Sequence, residues 1–179
     1  MASSPLPVPP GTPGAAAVSS DWFVSISGQL RFLSTGERAI LRRLELGRSA
    51  VSDGTIIKLL MRAKVAPDLF ESDYERWRLV VHVAAMLAGT GAIASHDEKR
   101  RLGAALHDAG VSENRILRLL AARGAGLHDQ IRLMARLLAR PRKPVNLWTV
   151  YHLLAGDDGK AQSARIRIAQ DYYAAAARS

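Results

Sequence analysis

The chain has 179 residues, 48% of them apolar, which is enough for one domain or two small lobes with a real core. Its 25 Lys and Arg exceed its 16 Asp and Glu, and the net charge of +9 favours an anionic partner such as nucleic acid or a membrane surface. The absence of Cys excludes disulfide frameworks, thiolate zinc sites and cysteine nucleophiles, and no apolar run reaches the ~18 residues of a membrane span.

Residues 1–20 contain five of the eight prolines and no charged side chain. They have little to bury and favour extended conformations, so we predict a disordered tail. The alternative is an ordered strap over the body of the protein. This stretch also lacks the basic start and continuous apolar segment of a signal peptide, which predicts a soluble, cytoplasmic protein.

Helical periodicity begins at Asp21, and it predicts an N-terminal helical lobe over residues 21–89. Ser72 and Glu75 have the spacing of a capping box, in which the hydroxyl and the carboxylate each accept a hydrogen bond from a backbone N–H. The helix that they would open runs through Trp77 to Gly89, a usual stop residue.

Residues 90–96 are rich in Gly, Ala and Ser and indicate a hinge. A C-terminal helical bundle is predicted over residues 97–179, because the helical period returns and no segment alternates as a strand would. Its helices are predicted over about 97–109, from Ser112 to about 124, over 126–140, from Asn146 to about 154, and over 160–177. The predicted fold is all-α, with two small helical bundles joined by a short hinge.

Eight bases lie between positions 115 and 143 with a single acid, Asp129, so this segment has a net charge of +7. We call these bases the basic belt: Arg115, Arg118, Arg123, Arg132, Arg136, Arg140, Arg142 and Lys143. Three of them, at 132, 136 and 140, would form a stripe on one helix, about 6 Å apart. Leu127, Ile131, Met134 and Leu138 would face the core.

The basic belt has two interpretations. It is either a merely solvated face or a surface that phosphates neutralise. No aromatic residue lies between Arg78 and Pro144, so the belt has charge without the stacking platforms of a single-strand binder. This favours contacts to the sugar-phosphate backbone that are blind to sequence. A second cluster is formed by Lys99, Arg100 and Arg101, and further candidates are Arg42, Arg43, Arg76 and Arg78.

Catalytic motifs were sought and not found in the sequence. The three His-Asp dipeptides, at positions 96, 107 and 128, are weak signals for an all-α metal phosphohydrolase, because acids are not concentrated around any of them. There is no P-loop, dinucleotide fingerprint, HExxH or Gly-x-Ser-x-Gly. His82, on an apolar stretch, reads as a partly buried structural histidine. We therefore predict no catalytic residue, no metal, no cofactor and no enzymatic activity.

A helix-turn-helix pattern fits residues 102–119, with Gly110 at the turn and Ile116 and Leu119 as core anchors. Its second helix would present Arg115 and Arg118 toward a major groove. This leaves a DNA-binding transcriptional regulator as the alternative function, although such patterns match many helical hairpins by chance.

Several segments, in this order, resemble the CasB family, the small subunit of the type I-E CRISPR surveillance complex Cascade. The segments are Gly36 to Arg43, Met86-Leu87-Ala88-Gly89, Leu102-Gly103-Ala104-Ala105-Leu106, Ala109-Gly110, Ser112-Glu113-Asn114-Arg115-Ile116, Arg136-Leu137-Leu138, Val145-Asn146-Leu147-Trp148 and Asp171-Tyr172-Tyr173. The resemblance covers about residues 21–177.

The resemblance implies a non-catalytic, all-helical, prokaryotic subunit for antiviral defence. It further implies that two copies pack head to tail beside other Cascade subunits and bind the backbone of the guide RNA–target DNA R-loop and the displaced strand. The matching basic positions are Lys99, Arg100, Arg115 and Arg136, together with Arg42 and Arg43. The predicted nucleic-acid-binding residues are therefore these six, with Arg118, Arg132, Arg140, Arg142 and Lys143 from the basic belt.

Overall fold

The computed structural model describes residues 21–43, 50–89, 94–156 and 159–179. In these ranges ten α-helices and one 3-10 turn account for the regular structure, and no strand occurs among them. The helices are α1 Asp21–Gln29, α2 Thr35–Arg42, α3 Ala50–Arg62, α4 Pro67–Glu71, α5 Tyr74–Ala88, α6 Leu102–Asp108, α7 Glu113–Ala121, α8 Gly124–Leu138, α9 Leu147–Leu153 and α10 Gly159–Ala176, and the 3-10 turn is Leu30–Phe32. The predicted all-α fold is confirmed.

Helix α5 lies at the centre of the molecule. Eleven of its fifteen residues are buried, as expected for a helix that is apolar on all sides. It packs against α1, α2 and α4 from the N-terminal half of the chain and against α8 and α9 from the C-terminal half. None of the described helices is long and apolar enough to cross a bilayer.

Aromatic rings join the two halves. Phe23 of α1 and Trp148 of α9 meet edge to face with ring centroids 4.6 Å apart, and Trp77 of α5 lies 5.0 Å from Tyr151 of α9. Such ring pairs stabilise beyond the area that they bury. The buried residues of both halves belong to one hydrophobic cluster, so the predicted arrangement as two separate bundles is not confirmed.

The end of the predicted hinge is tied to both halves. His96 forms an isolated parallel bridge with Val145, and the backbone N–H of Ser95 donates to the hydroxyl of Ser27 at 2.7 Å. Residues 90–93 of the hinge and the whole predicted tail, residues 1–20, lie outside the described residues.

The predicted capping box at Ser72 is wrong. Helix α5 begins after Asp73, and the Ser72 hydroxyl instead donates to the Leu69 carbonyl at 3.1 Å. Glu75 pairs with Arg78 at 2.8 Å, where the nearly buried guanidinium attracts the carboxylate more strongly than a backbone N–H does.

The capping box of this chain opens α2. The Ser34 hydroxyl accepts from the Glu37 N–H at 3.2 Å, and the Glu37 carboxylate accepts from the Ser34 N–H at 2.8 Å. Glu37 also pairs with Lys58 of α3 at 2.9 Å. These hydrogen bonds lower the pKa of Glu37 to about 2, and the one from Lys58 has the largest effect.

Several helix ends differ from the sequence prediction. Helix α6 begins at Leu102 rather than near 97, because residues 97–100 pair through their backbone with residues 145–146. Helix α7 ends at Ala121, and Gly124, predicted as its stop, begins α8 with a φ of +50°. The short helix α4 was not predicted. Asn146 caps α9 as predicted, its side-chain oxygen accepting from the Trp148 N–H at 3.0 Å.

Gly103 allows α6 and α10 to touch backbone to backbone. A Cβ at position 103 would collide with the carbonyl oxygen of Ile168 and would lie 2.7 Å from the backbone nitrogen of Tyr172. The small residue therefore sets the separation of these two helices. The Tyr172 hydroxyl fixes the neighbouring turn by donating to the Val111 carbonyl at 2.7 Å.

We expect Gly103→Ala to lower the free energy of unfolding by about 2 kcal/mol or more, because α6 and α10 must separate to admit the methyl group. The control is Gly126→Ala in α8, where an added Cβ has no neighbour within 4 Å and helix propensity favours Ala by up to about 1 kcal/mol. Urea unfolding followed by circular dichroism measures both. Equal stability of the two variants would contradict the close approach.

We expect Ser34→Ala to lower the free energy of unfolding by about 1 kcal/mol, because the backbone N–H of Glu37 loses the hydroxyl that caps it. Ser72→Ala should change it by less than about 0.5 kcal/mol, since that hydroxyl caps no helix N-terminus. The same urea titration compares the two variants, and a larger loss at position 72 would contradict the assignment.

Candidate nucleic-acid interface

Helix α7 presents two arginines of the basic belt to solvent. Ile116 and Leu119 are buried against the rest of the fold, and this orientation directs Arg115 and Arg118 outward. Both side chains are exposed and make no ion pair with a described carboxylate. Arg118 lies in the last turn of the helix, where a cation also interacts favourably with the helix dipole.

Helix α8 divides its residues as predicted. Leu127, Ile131, Met134 and Leu138 are buried, and the bases lie toward the other side. Arg136 is exposed and has no ion-pair partner in the described ranges.

Arg132 differs from Arg136. Its Nη1 lies 3.8 Å from Asp129, the only acid of the segment, and its side chain is 26% exposed. At that distance, and with a carboxylate that is 74% exposed, the pair contributes little.

The predicted stripe of three arginines on one helix is only partly correct. Helix α8 ends at Leu138, so Arg140 follows in the turn, where its N–H donates to the Leu137 carbonyl at 3.2 Å. Arg142, with a φ of +50°, and Lys143 belong to the same irregular segment. All three side chains are exposed, and no described carboxylate pairs with them.

Arg123 is exposed, but its guanidinium is engaged at the end of α7. Its Nη1 donates to the carbonyls of Leu120, Ala121 and Ala122 at 2.9–3.0 Å, which satisfies the free carbonyls at the end of α7. This base of the basic belt acts as a helix cap. It was not among the residues predicted to bind nucleic acid.

His82 lies where α2, α5 and α8 meet. Its Nδ1 is 2.9 Å from the carbonyl oxygen of Leu41 in α2. Burial lowers the pKa of His82, the Leu41 carbonyl opposes this, and the charges of Arg132 and Arg136 lower it further. The end of α2 and the arginines of α8 therefore lie on either side of one buried imidazole.

The two candidate arginines at the end of α2 have different environments. Arg42 donates from Nη1 to the Gly89 carbonyl at 3.0 Å, which closes the end of α5 and leaves this guanidinium partly buried. Arg43 is exposed and makes no ion pair within the described part of the chain. Of the two, only Arg43 is available to a partner without breaking a contact.

The cluster at residues 99–101 precedes α6. Arg100 pairs with Asp108 and Arg101 with Asp171, both at 2.9 Å, whereas Lys99 is exposed and has no described ion-pair partner. In the sequence, the only acids next to these three positive charges are Asp97 and Glu98. The observed partners lie 8 and 70 residues away along the chain.

Two further arginines that the sequence left open are structural. Arg78 is almost fully buried and pairs with Glu75 and Asp53 at 2.8 and 3.3 Å. Arg76 pairs with Asp73 and lies over the ring of Tyr151, 4.8 Å from its centroid. Neither presents a free charge.

The His-Asp dipeptides form no metal centre within the described residues, where no group of three potential ligands converges. His96 is buried, and its Nδ1 accepts from the Leu147 N–H at 3.1 Å. The ring of His107 meets Tyr172 edge to face at 5.5 Å. These two histidines pack within the fold.

The predicted helix-turn-helix segment is a hairpin in the structure, with Gly110 at a φ of +72° in the turn between α6 and α7. The two predicted core anchors, Ile116 and Leu119, are buried. The carboxylate of the exposed Glu113 already has a partner within the fold, because it accepts a hydrogen bond from the Tyr173 hydroxyl at 2.9 Å.

A second basic surface was missed by the sequence analysis. Lys160 and Arg167 lie on the exposed side of α10, both line the groove beside α9, and neither pairs with a described carboxylate. Their spacing of seven residues, two helical turns, was the available signal, but nothing in the sequence placed α9 beside them.

A family model described as CRISPR-associated protein Cse2 matches residues 37–173 of the chain, which include the whole basic belt. The fold is similar to that of CasB from Thermobifida fusca, whose crystal structure superposes with a TM-score of 0.59 at 19% sequence identity. The superposition covers 85% of this chain and 93% of that one. At this identity the likeness shows the fold alone. A search of curated proteins gave no match.

Buried histidines make stability depend on pH. Burial lowers the pKa of His82 and of His96, and for His96 the carboxylates of Glu98 and Asp97 act against it. Below about pH 6.5 the unfolded chain therefore binds more protons than the folded one, so stability falls as the pH falls. We expect a slope of up to about 1.4 kcal/mol per pH unit for each histidine.

The measurement is urea unfolding at pH 7.5, 6.5 and 5.5 for the wild type and for His82→Gln. The variant should lose the part of the dependence that His82 produces and keep the part that His96 produces. A free energy of unfolding that stays constant over this range in the wild type would contradict the assignment.

Proposed function

Because the chain belongs to the Cse2 family of CRISPR-associated proteins, and is thereby a Cascade subunit, we propose that it binds nucleic-acid backbone without reading sequence. It stabilises the R-loop of guide RNA, target DNA and displaced strand, and it catalyses nothing. One observation supports this: six bases of the basic belt are exposed and lack a carboxylate partner among the described residues. They are Arg115, Arg118, Arg136, Arg140, Arg142 and Lys143.

The physical argument rests on the near balance of R-loop formation. Exchanging a DNA duplex for an RNA–DNA hybrid changes the free energy little, so contacts to the backbone can decide the outcome. Unpaired guanidinium groups gain from phosphates without first losing an internal ion pair. They also read no base, which any guide sequence requires.

The predicted partners extend this proposal. A second copy packed head to tail would repeat the basic belt along the complex, and contacts to other Cascade subunits would need apolar surface. Phe32 and Met61 are 72% and 52% exposed, an unusual position for large apolar side chains, and they support the presence of protein neighbours.

The alternative function, a helix-turn-helix regulator, has the α6–α7 hairpin in its favour. It would bind one duplex sequence tightly as an isolated protein and protect specific bases. The proposed function instead expects weak binding by the isolated protein that is indifferent to sequence.

We expect a variant with Arg115, Arg118, Arg136 and Arg140 changed to Glu to shorten the R-loop lifetime about tenfold or more, because four phosphate contacts become repulsions. Lifetime is measured by the return of the displaced strand in the fully assembled complex. The control is Arg31→Glu/Arg62→Glu, which changes two exposed bases outside the belt. It is compared with Arg115→Glu/Arg136→Glu, which changes the same number of charges within the belt. An unchanged lifetime in an intact complex would overturn the proposal.

Salt dependence supplies an independent measurement. Each lost phosphate contact should reduce the steepness of the plot of log K, the association constant for nucleic acid, against the logarithm of the salt concentration by roughly 0.7 to 0.9. The double variant Arg115→Ala/Arg136→Ala should therefore reduce it by roughly 1.4 to 1.8. Tight binding of the isolated wild-type protein to one duplex sequence, with base-specific footprints, would favour the regulator instead.

A further inference from the structure

A continuous groove, called here the α9–α10 groove, runs along α10; its opposite wall is α9 in one cavity and includes Glu98 and Arg101 in the other. It consists of two cavities of about 360 and 460 Å³ that share Asn146, Thr149 and Arg167 as lining residues. Along α10 the lining residues recur every three or four positions from Lys160 to Ala174, which is one face of the helix. At 1.5 Å per residue, the groove is about 21 Å long.

Unpaired positive charge lies in the middle and at one end of the groove. Arg167 lines both cavities, and Lys160 lies two turns away toward the start of α10. Neither makes an ion pair with a described carboxylate, and Asp157 and Asp158, which precede α10 in sequence, lie outside the described residues. At the other end, Arg101 is paired with Asp171 at 2.9 Å and the exposed Glu98 also lines the cavity, so the unpaired positive charge is confined to the part of the groove from Lys160 to Arg167.

The groove also has what the basic belt lacks, an aromatic wall. His152 and Trp148 of α9 both line it, and their rings stack with centroids 5.7 Å apart at an angle of 25°. Trp148 also packs against Phe23, with ring centroids 4.6 Å apart, so the His152–Trp148 pair is already positioned in the ligand-free protein. A fixed pair of stacked rings beside cations is the usual arrangement for holding single-stranded nucleic acid.

We propose that the α9–α10 groove binds a single strand of nucleic acid, with Lys160 and Arg167 on its phosphates and a base stacked against the His152–Trp148 pair. At 3.4 Å per stacked nucleotide, the groove spans about six nucleotides. It lies between two adjacent helices, which suits one strand rather than a duplex. The inference deepens the proposed function, on which it rests, by assigning the unpaired strand to a surface different from the basic belt.

The first test measures binding of a fluorescently labelled single-stranded DNA of mixed sequence to the full-length protein by anisotropy. Lys160→Glu/Arg167→Glu should weaken this binding at least tenfold and affect duplex binding far less. The matched control is Arg31→Glu/Arg62→Glu, which changes the same charge at two exposed bases outside the groove. Equal effects of the two double variants on single-strand affinity would overturn the inference.

The second test separates stacking from a structural role. His152→Ala should weaken single-strand binding at least fivefold, whereas His152→Phe, which restores a ring, should retain most of the affinity. Thermal unfolding of both variants verifies that they fold. Equal loss in folded Ala and Phe variants would contradict stacking at this position.

Failure of this inference is distinguishable from failure of the proposed function. If groove variants keep single-strand affinity while belt variants shorten the R-loop lifetime, the groove assignment is wrong and the proposed function stands. If groove variants keep that affinity but no longer enter the complex, the groove is a protein contact, and the inference is again overturned. Weakened single-strand binding in groove variants, with an R-loop lifetime insensitive to the belt, supports the groove and refutes the proposed function.

Discussion

The burial of α5 between the two halves of the chain is the constraint on which the rest of the structure depends. Its apolar residues point in all directions, so helices from both halves must cover it. Helix α8 covers one side with its buried residues, Ile131 and Met134 among them, and this places Arg136 on the outside. The polar face of α8 is thus a consequence of how its apolar face covers α5.

Periodicity predicted the helical class and most of the long helices, because the apolar repeat of a helix involves only residues that are close in sequence. Helix α5 ends at Gly89 as expected, and α10 runs within a residue of its predicted limits. The helix caps were harder to predict from the sequence. Ser34 and Ser72 both have a glutamate three residues later, but Glu75 pairs with Arg78 one turn along the same helix, whereas Glu37 completes the capping box with Ser34.

The candidate site was predictable as a concentration of charge but not as a set of available side chains. The sequence shows a single acid, Asp129, among the eight bases of the basic belt, and the structure finds Arg115 and Arg136 exposed. It does not show that Arg101 meets an acid 70 residues away or that Arg42 reaches the Gly89 carbonyl. Phe23 and Trp77 are likewise remote from Trp148 and Tyr151 in sequence, so the common core was not predicted, and the α9–α10 groove was missed because nothing in the sequence places α9 beside α10.

The common core has a consequence for recognition. Phe23, Trp77, Trp148 and Tyr151 lock the two halves together, and the bridge between His96 and Val145 fastens the connection between them. The backbone distances between α2, α7 and α8 are therefore set during folding. If the proposed function holds, binding a polyanion would immobilise only the outer atoms of individual arginines, at about 0.5–1.5 kcal/mol each, and the subunit would act as a rigid template of fixed spacing.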